Sequence, residues 1–376
     1  MRTSSLAVTA LLVAGAAAVP AQAAPAPAAA PIVTTTDLGT LGGRDSTAAA
    51  INQLGVVVGA STDASGARRA YVWSRGRMTA LPTTLASSEA VDVNVWGDVV
   101  GNQYDIRGAD QPYRWRAGVA TRLTPEVPYG RAVAVNDLGR AIVNKIIIAE
   151  GYAYMITGFV TTARADGTPA QPLAAGPSLF DGRIGTGINN RAQVATLQMI
   201  GAGRWEKGVT TPIPDMYNPS VINERGHVAG SRSSVDGAAL WTGGATSTPL
   251  TGSRSYVPAR AGAMNERDEV VGTFFPDGPG EHAFVWRRGV LTDLGTLGGP
   301  DSHAAAINER GDVVGSAEEA AGVEHAVLWR GGRTIDLGVP PGGSSRAIDV
   351  NDRGQILGEV TDATGATRAT LWTVRG

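Results

Sequence analysis

Residues 292–331 read TDLGTLGGPDSHAAAINERGDVVGSAEEAAGVEHAVLWRG, and pieces of this stretch recur from one end of the 376-residue chain to the other. The firmest landmark is an Asn preceded by an aliphatic residue or Met and usually followed three places later by Gly: Asn52, Asn94, Asn136, Asn189, Asn223, Asn265, Asn308 and Asn351. Their spacings are 42, 42, 53, 34, 42, 43 and 43 residues. A fixed period near forty is the mark of stacked supersecondary units.

Other positions keep step with the Asn. Gly59, Gly101, Gly230, Gly272, Gly315 and Gly358 each follow it by seven residues, behind aliphatic or small pairs such as Val313-Val314, and the units of Asn136 and Asn189 lack that Gly. A Trp falls twenty-one residues after the Asn in five units (Trp73, Trp115, Trp286, Trp329, Trp372) and slightly earlier in two (Trp205, Trp241), which leaves Trp96 outside the column. Within a unit four short apolar runs are separated by turn sequences, Asn308-Glu-Arg-Gly311 suiting a type I turn closed by a left-handed Gly. Short strands at regular spacing predict an all-β fold.

The order of the pieces selects among all-β folds. Asp37-Leu-Gly-Thr-Leu-Gly-Gly43 repeats the words at 293–299, yet it stands before any Asn, and the last unit stops at Trp372-Thr-Val-Arg-Gly376 without such a segment. A strand missing from the end and present at the start is what a closed ring needs if the N-terminal strand completes the last blade. The expectation is therefore a β-propeller of eight four-stranded blades, or seven if the two worn units merge, because propellers handle their edges by closing radially. Small residues in one column (Ala48, Ala90, Ala132, Gly185, Pro219, Ala261, Ala304, Ala347) fit an inner strand crowded at the axis.

Taken together, Asp-Leu-Gly-Thr-Leu-Gly-Gly, Ala-Ile-Asn-x-x-Gly-x-Val-Val-Gly and His282-Ala-Phe284 before Trp286 resemble the HAF family of extracellular repeats. The His-Ala-Phe word is complete once and becomes His-Ala-Val at 325 and Arg-Ala-Tyr at 69. The resemblance implies a secreted, propeller-like protein and supplies no catalytic residue.

Composition excludes several functions. A formal charge of -2 gives no clustered positive excess for nucleic acid or an anionic membrane. The absence of Cys excludes disulfides, thiolate metal sites and Cys nucleophiles. Residues 1–23 have the charged, apolar and small-residue regions of a secretory signal ending at Ala21-Gln-Ala23. Residues 24–31 form an Ala/Pro-rich leader, and 32–376 are expected to be one propeller domain with no membrane span after signal cleavage, secreted and monomeric.

No pattern requires a cofactor or metal. The four His residues (His227, His282, His303, His325) show no metalloprotease spacing, three being expected as solvated repeat positions, and Ser302-His303 are neighbours on a strand, so they point to opposite faces and form no nucleophile–base pair. Paired carboxylates can perform glycosidic chemistry. Asp92 and Asp349, each two residues before its Asn, occupy equivalent inner-strand positions, although units two and eight are not ring neighbours, and a carboxylate hydrogen-bonded to backbone is the simpler account.

If the strands alternate in direction, the uniform Asn-x-x-Gly turns share one face and the longer, varied Gly-Gly loops the other. The candidate ligand site is the Gly-Gly face, around Asp45, Ser46, Asp301, Ser302, His303, Ser345 and Arg346. The excursion at 164–181 in the worn units is the rival location. With no catalytic constellation, the sequence favours a secreted, non-enzymatic propeller that binds an extracellular ligand, a glycan, surface polymer or protein. The alternative is a hydrolase or lyase of extracellular carbohydrate on the same scaffold.

Overall fold

The structure, a computed structural model, describes residues 31–375 apart from 107–109, 125–128, 150–152, 163–169, 174–182, 199–200, 233–236, 251–259 and 277. The expected signal (1–23) and most of the expected leader (24–31), and most of the 164–181 excursion, lie outside the described residues. Among the described residues no helix is long and apolar enough to cross a membrane.

Eight four-stranded antiparallel sheets follow one another along the chain, and each inner strand touches the next until the eighth meets the first. The fold is an eight-bladed β-propeller. Blade seven shows the unit complete: inner strand Gly298–Ile307, then Val313–Glu319, Glu324–Arg330 and the outer strand Arg333–Asp336. Blade eight takes its inner three strands from the C-terminus, Ser344–Val350, Gln355–Thr361 and Thr367–Arg375, and its outer strand from Ile32–Asp37 at the N-terminus. Ile32 pairs with Arg375 and Asp37 with Thr370, so the ring closes as the order of the sequence words requires. The worn third unit keeps its blade through a ten-pair ladder between Arg140–Ala149 and Ala153–Thr162.

The Gly seven residues after the Asn has a steric cause. Every inner strand bulges at the same place, between Ala304 and Ala306 in blade seven and between Ala48 and Ala50 in blade one. In blade seven the carbonyl of His303 lies so close to Gly315 that a Cβ there would sit 1.9 Å from that oxygen. In the two worn blades Val143 and Thr196 stand there instead, both buried.

The Asn column closes the ring chemically. In each turn the Asn Oδ1 accepts the backbone N–H of the residue four places on, as from Asp312 to Asn308 at 3.0 Å. Its Nδ2 donates to the backbone carbonyl of the Asn in the following blade: Asn52 to Asn94, Asn94 to Asn136, Asn136 to Asn189, Asn189 to Asn223, Asn223 to Asn265, Asn265 to Asn308, Asn308 to Asn351, and Asn351 back to Asn52. The circuit is complete and all eight side chains are buried. Leaving buried donors and acceptors unpaired costs about 1–3 kcal/mol. Asn308→Ala is accordingly expected to lower unfolding stability by about 2 kcal/mol, measured by urea denaturation, whereas a change within error would mean that the circuit carries no stability.

Candidate functional site

The same turns build a second circuit with different side chains. The residue after the Asn donates its backbone N–H to the side chain of its counterpart in the following blade: Val95 to Asp137, Asp137 to Asn190, Asn190 to Glu224, Glu224 to Glu266, Glu266 to Glu309, Glu309 to Asp352, and Asp352 to Gln53. Val95 has no acceptor to offer, so the circuit breaks between Gln53 and Val95. Burial raises the Glu266 carboxyl above its ordinary range, and the like charges of Glu224 and Glu309 on either side add to this. The Asn-face mouth of the channel is thus ringed by carboxylates and amides.

Just inside that mouth stand Asp92 and Asp349, two residues before their Asn. The same column in the other blades is Ala50, Ala134, Gly187, Val221, Ala263 and Ala306. Each Asp crosses the seam to the next inner strand: Asp92 Oδ2 accepts Val135 N–H at 2.8 Å and Asp349 Oδ2 accepts Ile51 N–H at 3.0 Å. The other oxygen of each accepts the N–H of its own following residue, Val93 or Val350. Both residues are partly exposed, and the packed inner strands around their carboxyls desolvate them, which governs their ionisation. Burial pushes Asp349 up to about 6, the negative charge of Asp92 adds to the rise, and the two N–H donors oppose it. Burial likewise raises Asp92. Blade one alone separates the two, so carboxylates that are not ring neighbours still sense each other's charge.

The seven residues of the Gly-Gly face do lie on three consecutive blades, but the structure uses most of them to join blades. Ser46, Ser302 and Ser345 are buried, and their hydroxyl oxygens accept the N–H of Ala369, Ala283 and Ala326 from the preceding blade at 2.8–3.0 Å. Beside them Asp45 accepts Thr367 N–H and Asp301 accepts Glu281 N–H. The recurring Asp-Ser word is therefore a two-point joint. Its serines offer no surface to a ligand.

Arg346 is exposed yet held by the buried Glu359 at 2.7 Å, whose second oxygen accepts Ala48 N–H across the seam. His303 is exposed, 3.8 Å from the Glu281 carboxylate. The other His residues are not free repeat positions: His282, His325 and His227 bond Asp293, Asp336 and Asp268 at 2.8–2.9 Å. The repeated eleven-residue His-to-Asp spacing in blades six and seven is the signal that was legible for two of them. Among the described residues no group of His, Asp and Glu is arranged to hold a metal ion.

Neither a protein-family profile nor a curated protein matches the sequence. Solved structures do. The chain is similar to the β-propeller domain of the Trilobed protease from Pyrococcus furiosus, described as having an open velcro topology, at 12% identity over 78% of this chain and 98% of that one, with a TM-score of 0.51. It is similar to a puromycin hydrolase (12% identity, 84% of this chain and 58% of that one, TM-score 0.51) and to an acylaminoacyl peptidase from Pyrococcus horikoshii (12%, 86% and 58%, 0.50). The chain thus spans under three fifths of the length of the latter two.

These likenesses establish the fold. They also correct the expectation of a non-enzymatic binder, which rested on repeat regularity and the lack of a catalytic motif: the similar structures are those of a protease's propeller domain, a hydrolase and a peptidase. Repeat regularity is no argument against catalysis.

Proposed function

We propose that the protein is an exported hydrolase or lyase of extracellular carbohydrate, with Asp349 as general acid and Asp92 as general base at the Asn-face end of the channel. The observation that carries this reading is the placement of two carboxyls, one on either side of blade one, in an inner-strand column that is otherwise Ala, Gly or Val. Asp349 holds its proton up to about pH 6, and it does so partly because Asp92 is negative. A carboxyl kept protonated by burial and by a negative neighbour is suited to the acid role. In hydrolysis the glycosidic C–O bond breaks, the departing oxygen takes the Asp349 proton, and Asp92 takes a proton from the attacking water. In elimination Asp92 would instead take a carbon-bound proton of the sugar. Export is supported by the pattern of residues 1–23 and by the resemblance to the HAF repeats.

One pair of variants tests the reading twice. On a panel of extracellular polysaccharides, scored for new reducing ends and for unsaturated ends, Asp349→Asn and Asp92→Asn are each expected to lower turnover by roughly 10²–10⁴-fold. Stability supplies the second readout. The folded Asp349 carboxyl titrates about two units above its ordinary 3.8, so the folded protein binds this proton more tightly than the unfolded chain does. Stability from this group is full below about pH 4 and falls as pH rises to 6, by about 3 kcal/mol in all. Asp349→Asn removes that part of the pH slope. Full activity in both variants, or no cleavage of any polymer by the wild type, sinks the proposal.

A further inference from the structure

The position two residues after each Asn divides the Asn face in half. It is Arg in five consecutive blades (Arg191, Arg225, Arg267, Arg310, Arg353) and apolar in the other three: Leu54, Trp96 and Leu138. All three apolar side chains stand out into solvent, Trp96 at 74% exposed and both Leu at 56%. Packing explains the other seven Trp residues, which sit on the third strand of their blades, six of them buried. It does not explain Trp96. Nor is this a loose loop, since Trp96 N–H is tied to Asn94 Oδ1 at 3.1 Å and Asn94 is locked into the ring circuit.

We propose that Trp96, flanked by Leu54 and Leu138, is a binding subsite that stacks one sugar ring of a carbohydrate chain entering the channel from the Asn face. The inference rests on the reading of Asp92 and Asp349 as the reacting pair, and three placements lead to it. The acids lie at this end of the channel, two residues before the Asn, and Trp96 follows Asp92 by four residues in the same blade. The apolar arc covers blades one to three and the acids flank blade one, so arc and acids overlap on one side of the ring. The third placement is chemical: the inner column beside Trp96 runs Gln53, Val95, Asp137, so an apolar floor lies between an amide and a carboxylate.

A pyranose fits that arrangement. Its C–H face lies on the electron-rich face of an indole, while its equatorial hydroxyls reach outward to planar polar groups. A lipid or a large protein partner calls for a continuous apolar patch of several hundred Å², whereas here each apolar residue stands on its own turn. The Gly-Gly face also exposes aromatic rings, Tyr129 and Tyr217, but these precede the inner strands of blades three and five, at the end of the channel away from the acids, and the candidate serines of that face are consumed in blade joints.

The test separates binding from turnover by using the full chain carrying Asp349→Asn as the parent, on an array of plant, fungal and bacterial polysaccharides. The parent is expected to be retained on at least one polymer, and adding Trp96→Ala to weaken that retention at least tenfold with an unchanged melting curve. The bound polymer is also expected to shield one Trp from acrylamide quenching in the parent and none in the double variant. Equal retention by both proteins, retention of neither, or a self-associated parent that Trp96→Ala turns monomeric each overturns the subsite. Retention that depends on Trp96, with no cleavage by the wild type, would leave the subsite standing and reject the acid–base assignment. Cleavage with a KM indifferent to Trp96→Ala would do the reverse.

Discussion

Deletion of Ile32–Asp37 is expected to open the ring and lower stability on the order of 5 kcal/mol or more. The segment supplies the outer strand of blade eight and nothing else replaces it: six residue pairs, from Ile32 with Arg375 to Asp37 with Thr370, bind it to the last strand of the chain. Ladder hydrogen bonds contribute about 1 kcal/mol each in net terms. Val33 packs on the cluster that holds Trp372, Leu328 and Ile356, and Leu38, immediately after the strand, is buried with its N–H on the Ala369 carbonyl. Without the segment, Thr367–Arg375 becomes a free edge beside an uncovered apolar surface, a template for pairing with other chains. Calorimetry should show a melting temperature lower by many degrees, and size-exclusion chromatography should show oligomers. A synthetic peptide of residues 31–43 added in trans should reverse both. A truncated chain that melts like the full one and stays monomeric would show that closure contributes little. The open velcro topology reported for the Trilobed protease propeller makes the outcome informative, because it is the closing contact that this chain would lose.

How much of this was legible depends on whether a position repeats the same residue. The Asn column was visible because one side chain does the same work eight times, its Oδ1 and Nδ2 both fixed by geometry. The column beside it was invisible: Gln53, Asp137, Asn190, Glu224 and Asp352 look unrelated until each is seen to accept one backbone N–H from the blade before. Asp45-Ser46 and Asp301-Ser302 were legible as a repeated word, but not as the joint between blades that they form. Polar residues next to a turn suggest a surface, but here the surface is a seam, and burial arises from a neighbouring blade about forty residues away. The acid pair was singled out and set aside because blades two and eight do not touch; the small ring radius at the inner strands brings the two carboxyls within reach of each other's charge. Trp96 was marked as standing outside the packing column, and only its exposure shows what that position offers.

The packing column itself should be costly to disturb, and Trp329→Ala is expected to lower stability by about 3–5 kcal/mol. Trp329 is 4% exposed and lies opposite Val313 in the sheet of blade seven. Its cluster includes Ile307 and Val327 from the same blade and Val271 and Val285 from blade six. The indole therefore fills the seam between two blades, where neither sheet can collapse onto the void without breaking the ring circuits above it. Its Nε1–H meets no acceptor among the described residues, so the loss is one of packing alone, and Trp329→Phe, which keeps most of the volume, should cost well under half as much. Urea unfolding followed by circular dichroism measures both. Trp73, at the same repeat position but half-buried, should give a smaller effect than Trp329 when replaced by Ala. If Trp329→Ala cost less than about 1 kcal/mol, the blades would not be held by this column, and the stability of the ring would have to reside in the Asn circuit and the closing strand alone.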